Sequence, residues 1–240
     1  ILNLYTMIPK TEREQIIALI NREVVPAIGC TEPIAVALCV AKATETLGCR
    51  PEKIQAFLSA NILKNAMGVG IPGTGMIGLP IAIALGALIG KSEYQLEVLK
   101  DSTPETVEEG KKLIDAQTIN ISLKEGIEEK LYIEIKCKAG DNEATAIISG
   151  GHTRFVYISK NEEILLNKES HSTNESESDD IELSLRKVYD FATTSPIEEL
   201  AFILETRNLN KSAAERSFKG NYGHQLGKTL NSKKNENLMM

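Results

Sequence analysis

The chain has 240 residues, enough for one large domain or two small ones, and its 42% hydrophobic and 25% charged residues fit a globular protein with a sizeable core. A formal net charge of −6 disfavours nucleic acid and anionic membrane surfaces as partners. With no tryptophan and 5% aromatic residues, a stacking platform for bases is also disfavoured. The first ten residues lack the basic region and small-residue cleavage site of a signal peptide. Four cysteines (Cys30, Cys39, Cys49, Cys137) without an export signal point to a reducing cytoplasm, and their spacing matches no C-x-x-C zinc pattern.

Residues 1–10 read as a leader, with 1–6 an extension upstream of Met7. Residues 10–25 place Ile16, Ile17, Leu19, Ile20 and Val24 at helical spacing, and Thr11 with Glu14 makes a capping box. Pro26 ends this helix and 27–30 turn. Thr31 is the expected N-cap of a second helix, with Glu32 in its first turn and Pro33 near its start, running through IAVALCVAKATETL to a C-cap at Gly48. It is apolar on most sides as far as Ala41 and is expected to be central. Residues 54–60 fit a strand or a helix, and 61–67 a helical turn.

Residues 65–90, NAMGVGIPGTGMIGLPIAIALGALIG, carry no charge. The part from Gly68 to Pro80 holds too much glycine and proline for a helix, at roughly 1 kcal/mol per glycine and about 3 kcal/mol per interior proline relative to alanine. It reads as a buried loop that turns sharply or approaches a ligand closely, feeding a buried helix over 81–88. Two other readings are weaker. A membrane span needs about 20 apolar residues in one regular element, which the glycine–proline half interrupts. The overlapping G-x-G-x-x-G matches at 68, 70, 73 and 73, 75, 78 lack the strand–turn–helix unit of a dinucleotide site.

Residues 96–99 fit a strand or a helix. Thr103 is expected to cap a helix over 104–116, with Pro104 at its first position and Glu105, Glu108 and Glu109 in its N-terminal half. Residues 119–123, 131–138, 143–149 and 153–159 alternate polar and apolar, punctuated at Gly126, 139–142 and 150–151, and 161–163 turn into a further strand over 164–167. Residues 169–180 (ESHSTNESESDD) read as a flexible acidic linker, with no role for His171. Helical pattern returns over 181–193, 196–207 and 211–230, and 231–240 read as an unstructured tail. The fold class is therefore α+β. A helical segment (11–118) with the glycine-rich loop precedes a small, mostly antiparallel sheet (119–168), the linker, and further helices (181–230) of an incomplete domain.

Three groups can carry chemistry. Cys30, between Gly29 and a capped helix start, reads as a small apolar side chain in a turn or as a thiolate stabilised by the helix N-terminus, the form that binds metal or attacks carbon. Cys39 reads as core, Cys49 as incidental, and Cys137 lies on a strand. His152, after Gly150-Gly151 at a strand junction, reads as a satisfied structural side chain or as an acid–base or orienting group, and His224 is less informative. Asn61, Lys64 and Asn65 share one helix face and suit a carboxylate or amino group, or alternatively capping and loop hydrogen bonds.

Taken together, Pro26-Ala27-Ile28-Gly29-Cys30-Thr31-Glu32-Pro33, Ser59-Ala60-Asn61 with Lys64-Asn65, Gly70-Ile71-Pro72-Gly73-Thr74-Gly75, Gly78-Leu79-Pro80-Ile81-Ala82 and Gly151-His152-Thr153 resemble the L-cysteine desulfidase family, itself related to the alpha chain of iron–sulfur L-serine dehydratases. The likeness is collinear over residues 11–166 and weaker over 218–230. It implies a cytoplasmic lyase with an oxygen-sensitive 4Fe-4S cluster held by three cysteines, its open iron taking the substrate sulfur or hydroxyl. β-Elimination from L-cysteine would give an aminoacrylate, then pyruvate and ammonia, with sulfide released. Cys30 matches the first cluster cysteine. On family-like positions, His152 and Lys64 are the expected catalytic groups, and Asn61, Asn65, Gly73, Thr74, Gly75 and Thr153 the expected substrate-binding residues. In the family the remaining cluster cysteines lie in a C-terminal half, and this chain has no cysteine after Cys137. The chain therefore looks like an N-terminal part, inactive alone, whose partner is the missing half or a second chain. A homo-oligomer is compatible with this. L-serine dehydratase activity and a non-catalytic small-molecule-binding fragment are the alternatives.

Overall fold

Nine residues without a charge, Pro33 to Ala41, can be accommodated only by burial, and the fold is built round them. The structure, a computed structural model, describes residues 7–168 and 181–233. In chain order its elements are α1 (Lys10–Glu23), α2 (Thr31–Leu47), β1 (Lys53–Leu58), α3 (Ala60–Ala66), β2 (Gly70–Ile71), β3 (Met76–Ile77), α4 (Leu79–Ile89), a 3-10 helix (Ser92–Glu97), α5 (Pro104–Asp115), β4 (Ile119–Leu123), β5 (Tyr132–Ala139), β6 (Asn142–Ser149), β7 (Phe155–Lys160), β8 (Glu163–Asn167), α6 (Leu185–Thr194), a second 3-10 helix (Ile197–Ile203), α7 (Leu204–Lys219) and α8 (Leu226–Ser232). The class is the expected α+β. The chain divides into two compact units, Val24–Ser178 on the one hand and Ile1–Glu23 with Asp179–Met240 on the other.

In the first unit a six-stranded sheet runs β4-β1-β5-β6-β7-β8, with β1 parallel to β4 and every other pairing antiparallel. Helix α2 lies on this sheet and against α4, and α5 packs on α4. Ile34 through Ala41 are fully buried, and Ile133, Ile135, Ala146 and Ile148 meet them in one core. The helix ends as expected at Gly48, which is left-handed at φ +84°. Helices α2 and α4 cross in very close contact. A Cβ on Gly86 would lie 2.6 Å from the carbonyl oxygen of Ala37, so only glycine admits the crossing. The sheet's other face is not bare. There the buried Glu134 carboxylate bonds Lys124 Nζ at 2.5 Å, accepts from the Tyr132 hydroxyl at 3.0 Å and pairs with Lys136 at 3.4 Å. Burial pushes this carboxyl up, but the Lys124 and Tyr132 hydrogen bonds and the two lysine charges outweigh it and hold it below the usual range.

In the second unit Ile8, Ile16 and Phe191 form a small core, so Ile8 is packed rather than part of a free leader. Arg13 donates to Glu199 through Nε and Nη2 and to the Ile8 carbonyl through Nη1. Helices α7 and α8 bury no residue.

Several local expectations change. Residues 54–58 resolve as strand, because β1 is held on both edges, while Ser59 caps α3 and Ala60 begins it, so 24–118 and 119–168 share one unit. Helix α1 starts at Lys10, with Arg13 N–H donating to the Pro9 carbonyl, which places Thr11 inside the helix and removes the capping box. The glycine loop is a surface hairpin rather than a buried loop. Only Ile71 and Gly78 of 68–78 are buried, while α4 after it is buried over Ile81–Ala87. Its glycines lie in that hairpin and not in a strand–turn–helix unit. Residues 96–99 are the end of the 3-10 helix and the turn after it. At the far end α8 runs to Ser232, inside the expected tail. The expected linker, 169–180, and residues 1–6 and 234–240 lie outside the described residues. Among the described residues no helix is long and apolar enough to cross a membrane.

Two outcomes test this architecture. Gly86→Ala drives a methyl group into the Ala37 carbonyl and is expected to lower stability by about 1–3 kcal/mol in chemical denaturation, whereas the same change at the open Gly70 is expected to leave it nearly unchanged. Glu134 has its folded-state pKa depressed, so its contribution is present above the unfolded value of about 4.3 and is lost as pH falls through the folded value. Glu134→Gln is therefore expected to lower stability by about 1–3 kcal/mol at pH 7 and to flatten the acid limb of the stability–pH curve.

Candidate functional site

Glu32 is where the motifs meet. It sits in the first turn of α2, and its Oε2 accepts the Cys30 thiol proton at 3.1 Å and lies 3.4 Å from Thr31 Oγ1. Its Oε1 accepts from Asn65 Nδ2, 3.3 Å away on α3. His152 is near enough for its charge to act on the same carboxyl. The Cys30 hydrogen bond, the helix's own amide, Asn65 and His152 together hold Glu32 below the usual carboxylate range, against the opposing effect of burial.

The N-cap position belongs to Cys30 and not to Thr31. Cys30 has extended backbone at φ −62°, ψ 131°, and Thr31 is the first helical residue. The thiol makes no capping bond to the helix amides, its partner being Glu32. The expected thiolate stabilisation is thereby reversed. Desolvation and the Glu32 carboxylate push the Cys30 thiol up, and the Glu32 and Thr31 amides only partly offset them.

Three further segments are fixed around this turn. The hairpin β2–β3 reaches it through Pro72, whose Cγ lies 2.8 Å from where a Cβ on Gly29 would be, so glycine at 29 lets the loop tip sit against the Cys30 turn. The tip itself is a tight turn with Gly73 at φ +78° and the Thr74 N–H closing onto the Ile71 carbonyl. Helix α3 and the His152 turn share one anchor. Ser59, buried at the start of α3, donates its hydroxyl to the Lys130 carbonyl at 2.7 Å and its N–H to the Tyr132 carbonyl. Gly150 N–H donates to the Leu131 carbonyl between them. Residues 130–132 thus hold Asn65 and His152 at one end of the sheet.

Among the expected site residues, Cys30 and Asn65 hydrogen-bond to Glu32, and His152 acts on it through its charge alone. Asn61 and Lys64 are exposed on α3 and reach none of these groups, and Thr153 is exposed beside His152. Gly73 and Gly75 lie at the exposed loop tip. The Thr74 hydroxyl is taken up inside the loop, donating to the Ile71 carbonyl and accepting from Met76 N–H. Cys39 is core as expected, with Sγ 3.3 Å from the Ala146 carbonyl oxygen, and Cys137 is buried with its thiol pushed up to about 12. Among the described residues no three His, Cys, Asp or Glu side chains are grouped to hold a metal ion. Glu32 itself was not singled out for chemistry from the sequence. An acid two residues after a cysteine at a helix start was the available signal, but it reads equally well as a complement to the helix dipole.

No protein-family model matches the chain, and no solved structure does. It is similar to proteins named UPF0597 protein. That of Phocaeicola vulgatus is 76% identical over 230 residues, covering 96% of this chain and 53% of that protein. One from Bacteroides fragilis is 74% identical over 221 residues, 92% and 52% of the two chains. One from Photobacterium profundum is 42% identical over 217 residues, 89% and 50%. The chain spans about half the length of the curated relatives it matches.

Removing the Glu32 charge should release the thiol. Glu32→Gln is expected to lower the Cys30 pKa and raise its rate of alkylation by iodoacetamide at pH 8 about threefold or more, with Cys49 as the internal reference, followed by peptide mass spectrometry. Ser59→Ala removes both a cap and the tie to Lys130, and is expected to cost about 1–2 kcal/mol of stability in denaturant titrations.

Proposed function

We propose that this chain is the substrate-binding half of a cytoplasmic iron–sulfur amino-acid lyase of the L-cysteine desulfidase type. It would act by β-elimination on L-cysteine, or on L-serine as the related dehydratases do, and be inactive by itself. The observation that carries the proposal is the convergence of four segments distant in sequence, the Cys30 turn, α3, the glycine hairpin and the His152 turn, on one thiol and one carboxylate.

The donor set of this chain does not fit a complete cluster. A cluster needs three or four thiolates. Cys39 and Cys137 are buried in the core, and Cys49 follows the far end of α2, about 25 Å along the helix from Cys30 at ~1.5 Å per residue. Only Cys30 is left at the site, so the other ligands belong to protein outside this chain. The chain's own residues suit the amino acid. Glu32 and the amide of Asn65 offer oxygens to an ammonium group. The loop-tip amides of Gly73 and Gly75 and the Lys64 ammonium offer donors to a carboxylate, the Thr74 N–H being taken up by the Ile71 carbonyl, and Asn61 and Thr153 extend the polar rim. His152, with an acceptor nitrogen when neutral, is the group to take a proton from the α-carbon. The one-thiol donor set also favours a second reading, a non-catalytic module that binds a small amino acid.

The decisive assay measures iron and acid-labile sulfide per chain after anaerobic reconstitution, then pyruvate from L-cysteine and L-serine with and without the remaining half supplied. The chain alone is expected to hold no four-iron cluster and to form no pyruvate. With the other half present it is expected to do both, and Cys30→Ala to abolish both. An unchanged cluster in Cys30→Ala overturns the ligand assignment. A melting temperature raised by the amino acids, with no pyruvate even from the completed protein, selects the binding module.

A further inference from the structure

The two units differ in what they bury. In Val24–Ser178 the helices α2 and α4 are buried along most of their length, in one core with the sheet. In the second unit the described residues, 7–23 and 181–233, bury three hydrophobic side chains, Ile8, Ile16 and Phe191. Ordering a segment of that length costs conformational entropy at every residue, and three buried side chains do not offset it. Apolar residues are present in this unit but face outward. The second 3-10 helix and the start of α7 form an almost wholly apolar groove of about 540 Å³, lined by Ile197, Leu200, Ala201, Ile203, Leu204 and Glu198. Leu200 also packs on the small core, so core and groove are continuous. Ile197 is 74% exposed and Leu204 56%, and Phe218 on α7 and Leu226 and Leu230 on α8 are exposed as well. An apolar groove left open on a unit with so small a core marks a binding surface.

We propose that this groove receives the half of the protein that the relatives carry outside their match to this chain. The 76% and 74% identical relatives are matched over 53% and 52% of their own length, so proteins that contain this unit contain about as much polypeptide again. In them that polypeptide is covalently attached. It therefore stands at a high effective concentration near the groove, which a second copy of the chain would have to exceed from solution. The occupant is an amphipathic segment of that half, its apolar residues laid between Ile197 and Leu204 and extending the core of Ile8, Ile16 and Phe191. This rests on the two-half reading above and not on the lyase chemistry.

The test co-expresses the tagged full chain with the untagged other half of the 76% identical relative and measures how much of that half is captured. Wild type is expected to hold it in a one-to-one complex. Ile197→Asp and Leu204→Asp are each expected to lower the captured amount at least tenfold, and Ile164→Asp, at an exposed apolar position of β8, to leave it unchanged. Both groove residues are exposed and open their helices, where an acid suits the N-terminus, so neither change should disturb the fold. Hydrogen exchange of the wild-type chain gives a readout without any variant: amides of 197–219 are expected to exchange at least tenfold more slowly in the complex than in the chain alone. A complex that the groove variants leave intact, or that leaves 197–219 unprotected, overturns the assignment while the two-half reading stands. A chain that dimerises through the groove, lost in Leu204→Asp, and captures no other half overturns it in favour of a second copy. No complex at all overturns it together with the two-half reading. A complex made through the groove that forms neither cluster nor pyruvate upholds it and overturns the lyase.

Discussion

The crossing of α2 and α4 at Ala37 and Gly86 is the contact on which the rest depends. It lets two almost wholly apolar helices approach until backbone touches backbone, with the sheet on the far side of α2. Each buried aliphatic side chain contributes on the order of 1.5–3 kcal/mol through removal from water. The gain is collected only if α2 is enclosed all round, and a side chain at 86 would hold the helices apart. Once the helix is fixed in this way, its first turn has no freedom left. Cys30 and Glu32 stand where the packing of Ile34 to Ala41 puts them, and the site inherits the rigidity of the core.

The second constraint is the three-residue stretch 130–132. It precedes and begins β5, and three of its carbonyls are spent on other segments, two on Ser59 and one on Gly150. Backbone carbonyls at a strand's start must find donors, and here they find them in the two segments that carry Asn65 and His152. Helix α3 is too short to hold its own orientation by local propensity. Its direction is set by the Ser59 bonds, and the Asn65–Glu32 contact follows from that.

What the sequence could show depended on how local the cause was. Strand β4 was readable to the residue, since Ile119–Leu123 alternates cleanly, and α5 was readable because Thr103 and Pro104 punctuate it. Strand β1 was not, because a six-residue segment whose character comes from partners at 119–123 and 133–138 carries no such information in its own residues. The glycine hairpin looked buried because it is uncharged, but absence of charge does not distinguish a core from an exposed turn with few side chains. Cys30, Asn65 and His152 could be picked out as chemically capable. Their common partner could not be, since Glu32 joins them across 33 positions to Asn65 and 120 to His152, a distance only the fold closes.

The partition of the cysteines bears most directly on chemistry. A thiol reacts or ligates as thiolate, so the cost of losing its proton decides which of the four is available. For Cys39 that cost is set by full burial between α2 and the sheet, and for Cys137 by burial that carries it to about 12. Neither becomes thiolate near neutral pH without opening the core. Cys49 is exposed but stands past the C-terminus of α2, the end opposite Cys30. Cys30 is also held protonated, by desolvation first and then by an anionic neighbour. The carboxylate that raises it is a hydrogen-bond partner at 3.1 Å, and a positive charge brought to the thiol would be welcomed by Glu32 rather than repelled. Desolvation is a fixed cost, whereas an anionic neighbour turns into an attraction as soon as a cation arrives. Of the four thiols, Cys30 is therefore the one whose hydrogen-bond partner is a carboxylate, with a charge that would attract a cation brought beside it.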